Sequence, residues 1–374
     1  MTPEAASGAP DAASEASRPE SVRMARALEL AERGLYTTDP NPRVGCVLVR
    51  DGQVVGEGWH ARAGEPHAEV MALRAAGERA RGAAAYVTLE PCCHTGRTPP
   101  CADALIAAGI SRVVCASVDP NPKVAGGGIR HLEAAGIAVT AGLLATQARA
   151  LNIGFYSRFE RGRPFIRLKL AMSLDARTAQ PSGGGWITDE ASRADVHVWR
   201  ARSSAVLTGA GTVRVDNPRL DVRLDYGPWV RQPLRVVLDT ESACAPASKI
   251  FHGGHALIFT ASDAKERGGM PVRTERVPRS ARGLDLEAVV ARLAQLEVNE
   301  LLVECGPRLA AAFLEANLVD ELILYVAPHF LGMDAPPLAA LAGVENLHRL
   351  SRFEFHDQRL IDNDLRLVLT PKRA

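Results

Sequence analysis

The chain has 374 residues, enough for two domains with separate cores, and its 47% apolar and 23% charged content is ordinary for a soluble globular protein. A net charge of +1 advertises no nucleic-acid or acidic-membrane partner, and no apolar run approaches the ~18–20 residues of a membrane span. Seven cysteines, three of them crowded into residues 92–101, argue for metal or reduced thiols in a cytosol rather than a disulfide framework.

Residues 1–19 carry almost no large apolar side chain and cannot offset their ordering entropy, so a disordered tail is expected. They lack the basic and apolar regions of a secretory signal. Apolar residues at helical spacing run from Val22 to Gly34, with Ser21 as N-cap. The rigid turn Asp39-Pro40-Asn41-Pro42 leads into a strand at Val44–Val49, and Asp51-Gly52 joins that strand to Gln53–Trp59 as a hairpin. Pro66 starts a helix carrying Ala68, Val70, Met71, Leu73 and Ala75. Then follow strand 84–89, helix 99–108, strand 111–117, helix 126–135, strand 137–140 and a helix over about 145–159. This alternation predicts an α/β layered sheet.

Arg161-Gly162-Arg163-Pro164 is polar and rich in breakers, which sets domains at 20–161 and 162–374. The second half begins with a strand at 164–171 and continues with helix 189–201 and strands 204–209, 234–239 and 256–260. Helix 285–296, strand 300–304, a helix over about 307–316, strand 320–327 and a last strand near 364–370 complete it. The second half is therefore α/β as well, with its own core.

The chemistry concentrates between His67 and Cys101. His67, Cys92 and Cys101 can hold Zn²⁺ through three protein ligands, leaving a tetrahedral position for water. His67 and Cys101 both fall at helix starts, where free N–H groups and the positive dipole end favour a thiolate. Glu69, two residues past His67 and not a ligand, would take the water's proton and pass it to the ring and the departing amine, the logic of zinc deaminases. A closed structural site competes, because Cys93 and His94 are available as a fourth ligand. The gap from Cys92 to Cys101 also exceeds the Pro-Cys-x-x-Cys of most zinc deaminases.

The run Glu90-Pro91-Cys92-Cys93-His94-Thr95-Gly96-Arg97-Thr98-Pro99-Pro100-Cys101 resembles the bifunctional riboflavin-biosynthesis deaminase/reductases. So do Asn41-Pro42-x-Val44-Gly45, Gly64-Glu65-Pro66-His67-Ala68-Glu69 and Asp119-Pro120-Asn121-Pro122-x-Val124-Ala125-Gly126, and the resemblance extends from residue 21 to the C-terminus. It implies a cytidine-deaminase-like α/β/α domain that deaminates 2,5-diamino-6-(5-phosphoribosylamino)pyrimidin-4(3H)-one. His67, Cys92 and Cys101 would hold zinc, with Glu69 as proton shuttle. Asn41 and His60 match positions facing the substrate; Arg97, Asp119 and Asn121 match positions contacting its ribosyl phosphate. Cys93 stands where the family usually has Ser.

In the second half, Thr208-Gly209-Ala210-Gly211-Thr212 and Val303-Glu304-Cys305-Gly306-Pro307 each end a strand and can offer backbone N–H groups to phosphates. No Gly-x-Gly-x-x-Gly follows a strand, so the Rossmann fingerprint is absent. Lys169-Leu170-Ala171-Met172-Ser173-Leu174-Asp175, Trp186-Ile187-Thr188 and the Gly306 turn resemble the family's reductase domain, which is similar to dihydrofolate reductase. The resemblance implies NADPH at Ala171, Trp186, Thr212, Asp216, Thr240 and the turn Gly306, Pro307, Arg308, Leu309, Ala310, Ala311 and Ala312. It implies substrate contacts at Arg200, Leu220, Arg223 and Glu304, with the two arginines on the phosphate and Glu304 as a grip or a proton donor. Ser182-Gly183-Gly184-Gly185-Trp186 is one residue short of the family pattern and lacks its polar side chain before Trp.

The expected protein is then a cytoplasmic homo-oligomer acting on phosphorylated pyrimidines, with no nucleic-acid or membrane partner. Two other readings stay open: a nucleic-acid deaminase with an accessory domain, which would want a basic channel with interleaved aromatics, and a zinc-stabilised scaffold without turnover. Only 5% of residues are aromatic, which argues against the first.

Overall fold

The computed structural model describes residues 12–94, 99–180, 185–223, 230–265, 268–341 and 352–372, with the backbone alone for 12–18. Arg97 and Ser182–Gly184 lie outside the described residues. The chain divides into two compact units, Met1–Phe159 and Glu160–Ala374.

The first unit runs α1 (Ala12–Glu32), β1 (Gly45–Arg50), β2 (Gln53–Trp59), α2 (Ala68–Ala76), β3 (Ala84–Val87), α3 (Cys101–Ala107), β4 (Arg112–Cys115), α4 (Gly127–Ala134), β5 (Ala138–Ala141), α5 (Ala145–Leu151) and α6 (Ile153–Arg161). Its sheet has the order β2-β1-β3-β4-β5 among the described residues. β1 pairs antiparallel with β2 and β3, whereas β3, β4 and β5 are parallel. Asp51 and Gly52 both take positive φ (49° and 76°), the backbone of a tight two-residue hairpin turn. Successive β1 residues face opposite layers. Cys46 and Leu48 pack with Ala68, Ala72 and Ala76 of α2, and Val47 and Val49 pack with Met24, Ala27 and Leu30 of α1.

Two glycines set the depth of α2. A Cβ on Gly56 would lie 2.3 Å from the Ala72 carbonyl oxygen, and one on Gly58 would lie 2.4 Å from that of Ala68. Only bare backbone at both positions lets α2 settle onto β2. Its inner face is therefore made of small residues, Ala68, Ala72 and Ala76, together with Glu69, while Met71 is exposed. Glu69 thus lies beneath the helix, among the core-facing positions.

Two boundaries differ from the sequence expectation. The first helix starts at Ala12, ahead of Val22 and inside the stretch expected to be a disordered tail, and Pro19 does not end it. The helix expected over 145–159 breaks at Asn152. That side chain accepts from the Arg43 N–H at 2.8 Å and donates to the Arg43 carbonyl at 2.9 Å, satisfying a distant segment instead of the helix.

The second unit comprises β6 (Phe165–Ser173), α7 (Glu190–Arg202), β7 (Ala205–Gly209), α8 (Ala210–Asp216), β8 (Leu234–Leu238), β9 (Ala256–Ala261), β10 (Arg273–Val277), β11 (Arg279–Ser280), β12 (Gly283–Leu284), α9 (Leu286–Gln295), β13 (Glu300–Glu304), α10 (Pro307–Glu315), β14 (Glu321–Ala327), β15 (Phe353–Ile361) and β16 (Asp364–Pro371). Its main sheet reads β10-β9-β8-β7-β13-β6-β14-β16-β15 among the described residues. The strands from β10 to β14 are parallel and the last two are antiparallel. Apolar clusters cover both faces, so the central parallel strands read as nearly continuous apolar runs. Asp320 anchors the start of β6, accepting from Arg161 at 2.7 Å, Arg163 at 2.6 Å and the Ile166 N–H at 2.9 Å. In a sheet of this kind, ligands bind beyond the carboxyl ends of the strands. Among the described residues, no helix is long and apolar enough to cross a membrane.

Candidate active sites

In the first unit, α2 and α3 begin side by side. His67 is the N-cap of α2 and makes no capping bond with its side chain; Cys101 opens α3 just after Pro100. His67 Nδ1 lies 3.2 Å from Cys101 Sγ and 3.7 Å from Cys92 Sγ. The ligand atoms of His67, Cys92 and Cys101 all fall within 4.8 Å of one another. Donors on a tetrahedral zinc at about 2.0–2.3 Å sit roughly 3.5 Å apart, so this set fits the ion. Cys92 also accepts from the Cys101 N–H at 3.3 Å. The Cys101 thiol and then His67 hold the Cys92 thiol well below its usual range, against the opposing effect of burial, and Cys101 is raised in turn.

Glu69 is 3% exposed, and its Oε2 is buried without a hydrogen-bond partner. Burial, followed by the charge of Cys92, pushes its carboxyl up to about 7. A carboxyl poised there can both take and give a proton at neutral pH. An orphaned, buried acceptor beside three metal donors is also what an open site with a reacting group would fill, and what a closed structural site would leave unexplained.

Asn41 and His60 extend this cluster. The His60 Nδ1–H donates to the Pro66 carbonyl at 3.2 Å, so its Nε2 accepts from the Asn41 amide at 3.1 Å. The His60 ring stands edge-on to His67, centroids 5.0 Å apart. Burial holds His60 below its usual pKa, consistent with that neutral tautomer. Asp119 and Asn121 form a turn in which the Asn121 N–H donates to Asp119 at 2.8 Å.

One residue of this site escapes a reading of spacing alone. Glu90 precedes the Pro91-Cys92 loop, and its carboxylate accepts four backbone N–H groups. Asp119 (3.2 Å) and Gly126 (2.9 Å) donate to one oxygen; Gly128 (2.9 Å) and Ile129 (3.1 Å) donate to the other. A Cβ on Gly128 would lie 1.9 Å from the Pro91 carbonyl oxygen, so α4 sits directly against the metal loop. Glu90 thereby ties the Asp119 turn and the start of α4 to Cys92. Its position one residue before Pro91 was a signal, but its partners lie about thirty residues downstream.

In the second unit, a cavity of about 830 Å³ opens beyond the carboxyl ends of β7, β8 and β13, a volume suited to a dinucleotide. Thr212, Asp216, Thr240, Gly306, Pro307, Arg308, Leu309 and Ala312 line it. Ala310 and Ala311 are fully buried on the inner face of α10, so their side chains point away, and Ala171 and Trp186 are not among the lining residues. Trp186 is 75% exposed under the Arg193 guanidinium. The Gly306 turn ends β13 as expected, with Pro307 as the first residue of α10. The Thr208–Thr212 turn instead opens directly into the short helix α8.

Beside the strand ends lies a charged cluster. Arg200 on α7 donates through Nε and Nη2 to the two oxygens of Glu304, at 2.5 and 2.9 Å. Lys169 stands in register with Glu304 on the neighbouring strand. Its amine is buried, which holds it below the usual lysine range although Glu304 opposes the shift. The alternation Arg167, Lys169 between Ile166, Leu168 and Leu170 was its signal: two cations on one face of a buried strand require partners. Leu220 is buried in left-handed backbone (φ 54°), and Arg223 pairs with Asp221 at 2.6 Å.

A His/Cys/Cys set with a buried proton-exchanging carboxylate defines a zinc-dependent deaminase; a parallel sheet with a dinucleotide-sized cavity beside a Lys–Glu–Arg cluster defines a nicotinamide-dependent reductase. Residues 18–117 match the cytidine and deoxycytidylate deaminase zinc-binding region, and residues 164–367 match the RibD C-terminal domain. The chain is 50% identical to riboflavin biosynthesis protein RibD of Escherichia coli over 359 residues, covering 92% of this chain and 98% of that protein. The structure of Acinetobacter baumannii RibD superposes with a TM-score of 0.89 at 43% identity, over 95% of this chain and 99% of that one. A Thermotoga maritima diaminohydroxyphosphoribosylaminopyrimidine deaminase/5-amino-6-(5-phosphoribosylamino)uracil reductase superposes at 0.83 with 33% identity, over 96% and 100%.

The chain belongs to the RibD family of riboflavin-biosynthesis proteins. It joins a cytidine-deaminase-like α/β domain and a dihydrofolate-reductase-like α/β domain in one polypeptide, a deaminase that uses Zn²⁺ and a reductase that uses NADPH.

Proposed function

We propose that the first unit converts 2,5-diamino-6-(5-phosphoribosylamino)pyrimidin-4(3H)-one to 5-amino-6-(5-phosphoribosylamino)uracil, and that the second reduces the ribosyl group of that product to ribityl. The observation that carries this is the buried Glu69 carboxylate, unpartnered at Oε2, beside His67, Cys92 and Cys101, in a chain that also holds a dinucleotide-sized cavity. When bound, Zn²⁺ supplies the Lewis acidity that makes water nucleophilic near neutral pH, and NADPH supplies the hydride equivalent.

The residues divide the work as follows. His67, Cys92 and Cys101 hold the metal. Glu69 takes a proton from the attacking water and returns it to the leaving amine, so that water is consumed and ammonia released. His60 holds the Asn41 amide towards the pyrimidine. Asp119 and Asn121, with Arg97, take the ribosyl phosphate.

In the second unit, Arg200 keeps Glu304 ionised. Burial alone would raise that carboxyl, but the guanidinium outweighs it and leaves it below its usual range. Glu304 therefore acts as a grip on the sugar hydroxyls rather than as an acid. Lys169, the neighbouring protonated group, gives its proton to the ring oxygen as the C1–O bond opens. Leu220 and Arg223 complete the substrate's surroundings. Ala171, Trp186, Thr212, Asp216, Thr240 and the turn from Gly306 to Ala312 take the cofactor.

On this reading the protein is a cytoplasmic homo-oligomer acting on small phosphorylated pyrimidines and not on nucleic acid, which the near-zero net charge supports. Ammonia release from the diaminopyrimidine tests the first step. It should follow the zinc content of the protein and need no NADPH, and release from metal-free protein at the full rate would refute it.

A further inference from the structure

The nicotinamide cavity has a direction. Its lining comes from the carboxyl ends of β8, β7 and β13 and, past β6, from Ala179. These strands are consecutive in the sheet, so at about 4.8 Å per strand the cavity spans roughly 14 Å, the scale of an extended dinucleotide. Lys169 on β6 and Glu304 on β13 mark the reaction end, where the nicotinamide ring belongs. The adenosine half must then lie towards β8 and the β11–β12 hairpin beyond it.

That far end is built from the hairpin and Thr240. The Arg282 N–H donates to the Ser280 hydroxyl at 3.3 Å, which fixes the hairpin turn. The next residue, Gly283, lies against Thr240; a Cβ there would be 3.3 Å from the Thr240 Oγ1. Arg282 lines the cavity, and its Nη1 meets Glu315, another lining residue, at 2.7 Å, so one nitrogen of the guanidinium is engaged.

Two of the carboxylates that line this end are engaged by other groups. Glu241 receives two bonds from Arg279, at 2.6 and 3.0 Å, and Asp285 caps α9 by accepting from the Ala288 N–H at 3.1 Å.

The other cavity arginines are placed differently. Arg308 is the second residue of α10, at the helix end suited to the diphosphate that NADPH and NADH share. Arg214 belongs to α8, which follows β7, one strand nearer the reaction end.

We propose that Arg282, with the Thr240 hydroxyl, grips the adenosine 2′-phosphate and so determines the selectivity of the reductase for NADPH over NADH. A guanidinium fork is suited to a phosphate, and the 2′-phosphate is the difference between the two cofactors. The proposal rests on the reading of this cavity as the cofactor site, and the experiment separates the two.

Titration calorimetry of the full-length protein with 2′-phospho-ADP-ribose and with ADP-ribose reads binding without turnover. Wild type should prefer the phosphorylated ligand. Arg282→Ala should weaken it by about 10–100-fold, the loss of one charge-assisted contact, and leave ADP-ribose within about twofold. Arg282→Lys, which keeps the charge but not the fork, should fall between. Arg308→Ala should weaken both ligands alike. If Arg282→Ala weakens both ligands equally, or neither, or if Arg214→Ala removes the preference instead, the assignment of Arg282 is wrong. If wild type binds neither ligand, the cofactor reading of the cavity itself has failed.

Discussion

Arg200 and Glu304 face each other through a two-pronged contact, 2.5 and 2.9 Å, with both side chains only 11% exposed. The guanidinium fork expected to hold a substrate phosphate is thus already committed to a carboxylate. Arg200→Ala would leave a buried carboxylate without its hydrogen-bonded partner, at a cost of about 3–5 kcal/mol, and should abolish reduction while sparing deamination. Arg200→Lys keeps the charge and should fold, with reduction slowed. Thermal unfolding with the two separate assays checks this, and a fully active Arg200→Ala would contradict it.

Glu69→Gln keeps the shape of the side chain and removes its proton exchange. Zinc measured by elemental analysis should remain at the wild-type level, and deamination should fall by about 10²–10⁴-fold. Reduction of the isolated deaminated intermediate should continue. Loss of zinc or of the reductase in this variant would show that Glu69 serves the fold.

Glu90→Ala would strand four backbone N–H groups that now share one carboxylate. The expected cost is about 3–5 kcal/mol, confined to the first unit, and with it weaker zinc retention in a chelator challenge. An unchanged melting profile would mean that the start of α4 does not depend on Glu90.

His197 supplies a pH test in the second unit. Its Nδ1 accepts from the Arg223 N–H at 3.3 Å, which requires the neutral ring. Burial, followed by the charges of Arg200 and Arg223, lowers it to about 4, against about 6.5 in an unfolded chain. Between those values the unfolded state binds the extra proton, so its contribution to stability is complete above pH ~6.5 and disappears as the pH falls towards ~4. An NMR titration of the His197 ring should show a midpoint near 4 in the folded protein, and denaturation midpoints should fall less with acid in His197→Gln. A midpoint near 6.5 would contradict this environment.

The cluster of His67, Cys92 and Cys101 was legible in the sequence because its members lie within 35 residues and two of them, His67 and Cys101, sit at helix starts marked by Pro66, Pro99 and Pro100. The Asp51-Gly52 hairpin and the alternation of strands and helices were legible for the same local reason. What stayed hidden depends on distant partners. The break at Asn152 needs Arg43, and the anchoring by Glu90 needs residues 119–129. The committed fork of Arg200 needs Glu304. Strands β10 to β12 were missed because Arg273-Thr274-Glu275-Arg276-Val277 and its neighbours are largely exposed and charged, without the apolar alternation that marks a strand. β15 was missed likewise; it is an edge strand of the sheet, with mostly exposed side chains.

The central claim is that one chain carries out two successive conversions at two sites. Mass spectrometry of the diaminopyrimidine incubated with zinc-loaded protein tests it most directly. Without NADPH, the substrate should gain about one mass unit, as NH₂ gives way to OH, and stop there. Adding NADPH should then bring a further gain of about two units, one hydride and one proton. No change in either tube, or a gain of two units on the substrate before deamination, would contradict the account.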